Sequence, residues 1–156
     1  MPAKPETTFT QAIHKILGSL EHNGHRTYYE KMFNPYRSGT PDVWYSGYSA
    51  DLWIEYKYIP VLPVRADIKL DLSERQKEWI AQRRFEGRNV VVVCGSKCGA
   101  VVFVNGDWLN PISPAEFQQR AISRKELALW IFNQTMGEPS ESAKRTDNSG
   151  KSIRQD

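Results

Sequence analysis

The chain is expected to fold as a single α/β domain, a mixed central β-sheet flanked by helices. Three observations point there. Its 156 residues suit one domain, and a chain of that length buries about two-thirds of its unfolded surface. Helical and strand periodicities follow one another as helix, three strands, helix, two strands, helix. Turn and cap residues fall between these segments rather than inside them.

Residues 1–7 are polar and carry two prolines, and they read as a flexible N-terminus. From Thr8 the apolar positions Phe9, Ala12, Ile13, Ile16, Leu17 and Leu20 recur at helical spacing. The segment "EHNGH" stops that helix, with Gly24 expected near its C-terminal cap. "RTYYEKMF" reads as a short strand, "NPYRSGTP" as turn chemistry and "DVWYSG" as a second strand closed near Gly47. "DLWIEYKYI" is the clearest strand. Its alternation places Leu52, Ile54, Tyr56 and Tyr58 on one face and Asp51, Trp53, Glu55 and Lys57 on the other.

"PVLPVRADIKLDL" holds two prolines and reads as a mobile loop that offers Arg65 and Lys69 to a ligand. In "LSERQKEWIAQRRFEGRN", Ser73 and Gln76 form a capping box and Gly87 supplies the stop of a helix. "NVVVVC" and "AVVFVNG" read as strands, and "SPAEFQQRAISRKELALWIFNQ" as one or two helices, with Trp130 and Phe132 packed or at an oligomer contact. The stretch 137–156 lacks the apolar residues that offset ordering entropy and reads as a disordered polar tail, leaving 8–136 as the folded domain.

Composition narrows the function classes. Hydrophobic content of 40% and charged content of 25% are those of an ordinary globule. A net charge of +3 allows a polyanionic partner without demanding one. No apolar run approaches the length of a membrane span and no signal-peptide pattern opens the chain. The chain therefore reads as intracellular and cytoplasmic, with a bacterial or phage origin open. Cys94 and Cys98 have no second Cys or His pair to complete a zinc site, and they read as small core residues. His14, His22 and His25 show no ligand spacing and are assigned no chemistry.

The chemistry lies in "GTPDVWYSGYSADLWIEYKYIP". Glu55 and Lys57 sit amid aromatics that favour burial, where an uncompensated charge costs several kcal/mol. A divalent hard cation takes one or two carboxylates, with water and phosphate oxygens completing its shell. Asp42 at the start of one strand and Glu55 on the next can converge on one ion if the strands pair, and the Tyr56 backbone carbonyl could add an oxygen. Lys57 falls on the Glu55 face, where an ammonium can orient an attacking water or stabilise charge developing on a phosphate. A solvated strand face and a simple turn are the plain alternatives for each piece.

"SGTPDVW", "LWIEYK", "LSERQKEWI" and "FEGRNVVVV", in that order, resemble the PD-(D/E)XK nuclease superfamily, most closely its virus-type replication-repair nuclease (VRR-NUC) branch. The resemblance covers about residues 8 to 105. It implies a restriction-endonuclease-like αβββαβ core. It also implies Asp42 and Glu55 as metal ligands, Lys57 as catalytic lysine and Gln76 near the active site. Many members carry a first-helix acid; Glu6 is the best match here, with Gln11 and His14 close by. Lys31, Tyr36 and Arg37, together with Arg65 and Lys69, are further candidates for DNA contact.

The implied activity is a Mg²⁺-dependent DNA endonuclease, with Mn²⁺ able to substitute. It would act on Holliday junctions or other branched DNA in replication, repair or recombination, as a homodimer. A nucleic-acid-binding module of the same fold without catalysis is the alternative. A carbohydrate- or partner-binding domain built on the tryptophans is a third reading.

Overall fold

The computed structural model describes residues 2–137. Its elements run α1 (Pro5–Leu17), β1 (Tyr28–Lys31), β2 (Val43–Ser46), β3 (Asp51–Tyr58), α2 (Glu74–Phe85), β4 (Val90–Ser96), β5 (Gly99–Phe103), a 3₁₀ turn (Asp107–Leu109), α3 (Pro114–Arg120) and α4 (Arg124–Met136). The five strands form one sheet in chain order. β3 and β4 pair in parallel and every other pair is antiparallel. The parallel step is the one bridged by α2, as a parallel pair needs a crossover rather than a hairpin. The first six helices and strands reproduce the αβββαβ order that the resemblance implies, extended by β5 and two helices.

The predicted alternation of β3 holds. Leu52, Ile54 and Tyr56 enter a core with Phe9, Ile13 and Leu17 of α1 and Leu127 and Ile131 of α4. Burying each such side chain contributes about 1.5–3 kcal/mol. Trp53, on the opposite face, packs against a second core under α2 and α3, which includes Ile80, Val92, Phe103 and Phe117. β4 is buried at every position, which is why it reads as an unbroken valine run. The C-terminal helical segment divides into two helices, each started by a serine whose side chain accepts from the third backbone N–H of its helix. Trp130 and Phe132 are partly buried against the first core.

Several expectations change. α1 begins at Pro5, so part of the stretch read as flexible is the first helical turn; Pro at the first position is compatible with the missing N–H bond there. The helix ends at Leu17 with Gly18 as its cap, and Gly24 instead sits in a tight turn. There His22 and His25 exchange backbone hydrogen bonds across Asn23 and Gly24, both at positive φ. The segment 60–72 is not simply a mobile loop: Ile68, Leu70 and Leu72 are buried, and Ile68 pairs with Ile112 through two backbone bonds. Cys94 is buried but Cys98 is exposed. The tail read over 137–156 lies, beyond Gly137, outside the described residues. Among the described residues no helix is long and apolar enough to cross a membrane.

Candidate functional site

The site forms where β2 and β3 meet the N-terminal turn of α1. The β2–β3 register pairs Val43 with Ile54, so the next step outward sets Asp42 beside Glu55. The Tyr56 backbone N–H donates to Asp42 Oδ2 at 2.8 Å, fixing the carboxylate against β3. The approach to Asp42 is pinned by Gly39, whose φ is +106°. A β-carbon there would lie 2.7 Å from the Arg75 carbonyl oxygen, so only glycine lets this loop rest on the start of α2. Arg75 Nη1 adds a hydrogen bond of 3.0 Å to Ser38 Oγ.

Gln76 joins the helix to the site with both ends of its amide. Its Oε1 accepts from the Ser73 backbone N–H at 2.9 Å, and the Gln76 backbone N–H donates to Ser73 Oγ, completing the capping box. Its Nε2 donates to Glu55 Oε1 at 2.5 Å. The two readings of this residue, cap and site neighbour, are thus met by different atoms of one side chain. Lys57 Nζ lies 3.3 Å from the same Glu55 Oε1. Glu55 is 2% exposed, yet its Oε2 has no hydrogen-bond partner among the described residues.

The electrostatics follow from that crowding. Burial first and the Asp42 charge second push the Glu55 carboxyl up to about 8, against the pull of Lys57. Asp42 is also raised by burial, opposed by the Tyr56 N–H, by Lys57 and by its side-chain interaction with Glu55. Glu6 is raised by burial and by Asp42. It lines a cleft with Asp42, Thr10, Lys31 and Tyr56. The first-helix acid of the sequence therefore stands at the same cleft, as does Lys31, while Gln11 points outward, exposed.

The other candidates divide. Tyr36 and Arg37 line a neighbouring groove with Arg75 and Trp79. Arg65 and Lys69 are exposed, and no hydrogen bond or ion pair among the described residues ties them to the carboxylates. His14 is buried, and its Nε2 lies 2.7 Å from the Tyr45 hydroxyl, which is 2.6 Å from that of Tyr56. Burial, then Lys31, lowers His14 to about 4, so a neutral imidazole completes a polar chain on the far side of β3.

The side chains fit a hard divalent cation. Among the described residues, no group of three or more His, Cys, Asp or Glu is assembled for one. Two adjacent carboxylates, one with a buried oxygen lacking any partner, nevertheless match the ligand demand of Mg²⁺, whose shell is otherwise water and substrate oxygen.

Sequence reasoning set Trp53 on the Glu55 face but did not single out the row of aromatics it belongs to. Trp44 stacks on Trp53 with centroids 6.0 Å apart, and Trp53 meets Trp79 at 5.3 Å. Trp53 shares the Glu55 face of β3, as its alternation predicts, and Trp79 follows Gln76 by one helical turn, so a helical count from Gln76 would have found Trp79 as well.

No family model and no curated protein matches the chain. Among solved structures it is similar to Hjc, a Holliday junction resolvase from the archaeal hyperthermophile Archaeoglobus fulgidus. The two are 16% identical over 81% of this chain and 98% of that one, with a TM-score of 0.48. A likeness at that level transfers neither activity nor residue roles.

Proposed function

We propose that this protein is a divalent-metal-dependent DNA endonuclease of the PD-(D/E)XK superfamily, nearest the VRR-NUC branch. It acts on branched DNA such as a Holliday junction, as a homodimer. The observation that carries the reading is Glu55: a buried carboxyl group beside a second one, with Lys57 and Gln76 on one oxygen and, among the described residues, no hydrogen-bond partner on the other.

Asp42, Glu55 and the Tyr56 backbone carbonyl would hold Mg²⁺ or Mn²⁺, with Glu6 as the remaining acid of the cleft. When bound, the ion polarises the phosphoryl oxygen and lowers the pKa of water. The protein's own groups supply the rest. Gln76 fixes the rotamer of Glu55 by donating to Oε1, while its carbonyl anchors to the helix cap. The Tyr56 N–H holds Asp42. Lys57 places a cation next to the reacting phosphate, where it orients the attacking water and offsets the charge that develops in the transition state. Lys31, Tyr36 and Arg37 stand near enough to the cleft or its neighbouring groove to position the phosphodiester backbone.

The test is cleavage of labelled four-way junction, flap, nicked duplex, single strand and linear duplex with Mg²⁺ or Mn²⁺, with EDTA and Lys57→Ala as controls. Metal-dependent cutting that is lost in Lys57→Ala supports the reading, and the preferred substrate names the role. DNA that is bound equally by both proteins and never cut would instead make the chain a non-catalytic nucleic-acid-binding module.

A further inference from the structure

Building on the nucleic-acid reading above, we propose a second subsite on the exposed side of α2 and the β2–β3 face that holds unpaired nucleotides of the substrate by base stacking. Trp79 lines two grooves. One contains Trp53, Arg83, Arg88 and Asp51. The other contains Tyr36, Arg37, Arg75 and Glu78. The two grooves share Trp79 as a wall, and together they are the trough of this proposal. Trp53 and Trp79 are half-buried against the second core; Trp44 stacks on Trp53, and both Trp53 and Trp79 line the groove with their remaining surface. Tyr36 is 92% exposed at its far end.

Asp42, Glu55, Lys57 and Gln76 line neither groove, but two elements carry residues of both places. Trp53 precedes Glu55 by two residues on the same strand face, about 7 Å away at the usual strand rise. Trp79 lies one turn after Gln76, whose amide touches Glu55. On this proposal a strand held at the carboxylates continues toward the tryptophans.

The side-chain chemistry selects the occupant. Every base has a π face that stacks on an aromatic ring whatever its sequence, while arginines take the phosphates. The trough carries Arg37, Arg75, Arg83 and Arg88 against Asp51 and Glu78. Arg83 is partly committed, 2.9 Å from Glu86 and 5.8 Å over the Trp79 ring. A second copy of this chain would bring the same arginines against each other, whereas a polyanion with aromatic faces meets both features. A base-paired duplex hides those faces, so the subsite favours unpaired nucleotides.

The experiment measures binding of the full chain to labelled oligothymidylate and to a blunt hairpin duplex by fluorescence anisotropy. It is done in EDTA, so that no cutting intervenes. Trp79→Ala is expected to weaken oligothymidylate binding about tenfold, the scale of one lost base stack, and duplex binding less than about twofold. Trp79→Phe keeps a stacking ring and is expected to stay near wild type, which separates stacking from a folding defect. Phe85→Ala removes an exposed aromatic of the same helix outside both grooves and is expected to change nothing.

Equal oligothymidylate affinity in wild type and Trp79→Ala overturns the proposal. So does an equal loss on oligothymidylate and duplex, or a dimer that Trp79→Ala converts to monomer by sedimentation. Trp79-dependent binding without cleavage of any DNA would leave the subsite standing and remove the nuclease. Cleavage with no Trp79 dependence would do the reverse.

Discussion

Glu55 and Tyr56 are neighbours on β3 and face opposite sides of the sheet. The two sides treat a buried polar group in opposite ways. Behind the strand, the Tyr56 hydroxyl is met by Tyr45 and the chain ends on His14, so each member has a partner. In front, Glu55 Oε2 has none, and its nearest charged neighbours include a second carboxylate. A satisfied buried network rigidifies a core. An unsatisfied one costs stability until something completes it. The rear of β3 is therefore structural, and on the proposed function the front is where a ligand would complete the unpartnered oxygen.

The sharpest way to break it is Lys57→Ala. The front of β3 should lose function without losing fold: cleavage falls at least about 100-fold, the scale for removing one transition-state donor. Thermal unfolding should shift little, because Lys57 is partly exposed. A large drop in Tm with cleavage per folded molecule preserved would place Lys57 among structural residues.

The rear should respond to acid. His14 is lowered from 6.5 to about 4, so the unfolded state binds the proton more readily. Its contribution is fully present above about pH 6.5 and is lost as pH falls toward 4, up to about 3 kcal/mol. Denaturant unfolding across that window should show a slope that His14→Gln removes. Tyr29 stacked on its ring, Tyr45 on its nitrogen and the nearby Lys31 are the groups around it.

Metal should act only at the front. Mg²⁺ or Mn²⁺ at about 100 times its Kd would stabilise wild type by about 3 kcal/mol, several degrees in Tm for a chain this size. Glu55→Gln should abolish that rise. Without metal its Tm should equal or exceed wild type, because the substitution removes one of two crowded carboxylates. An equal metal response in Glu55→Gln would move the ion elsewhere.

The smallest effect belongs to Tyr45→Phe, which strips the partner from His14 and from Tyr56. It should lower stability by about 1–3 kcal/mol and leave cleavage per folded molecule unchanged at a permissive temperature.

Much of this was legible in the residues. The β3 alternation, the Ser73–Gln76 capping box and the valine run of β4 are local patterns, and local physics decides them. The start of α1 was missed because Lys4, the residue before the helix, makes no side-chain cap, so no cap signal marks the position. The 60–72 segment was misread because its prolines are local, while the burial of Ile68 depends on Ile112, far along the chain. His14 carries no motif: only the packing of α1 on β2 and β3 gives it Tyr45.

The sequence by itself determined which residues could carry chemistry: Asp42, Glu55 and Lys57 follow from residue type and short spacing, and Gln76 from the family resemblance. Only the tertiary structure decided which of them meet. It brought Glu6 and Lys31 to the cleft, left Arg65 and Lys69 without a tie to it, and gave one Gln76 amide two tasks. It also brought the rings of Trp53 and Trp79 together. Strand period and helix caps act over a few residues, whereas convergence at a site depends on register and crossover, which only the packed sheet defines.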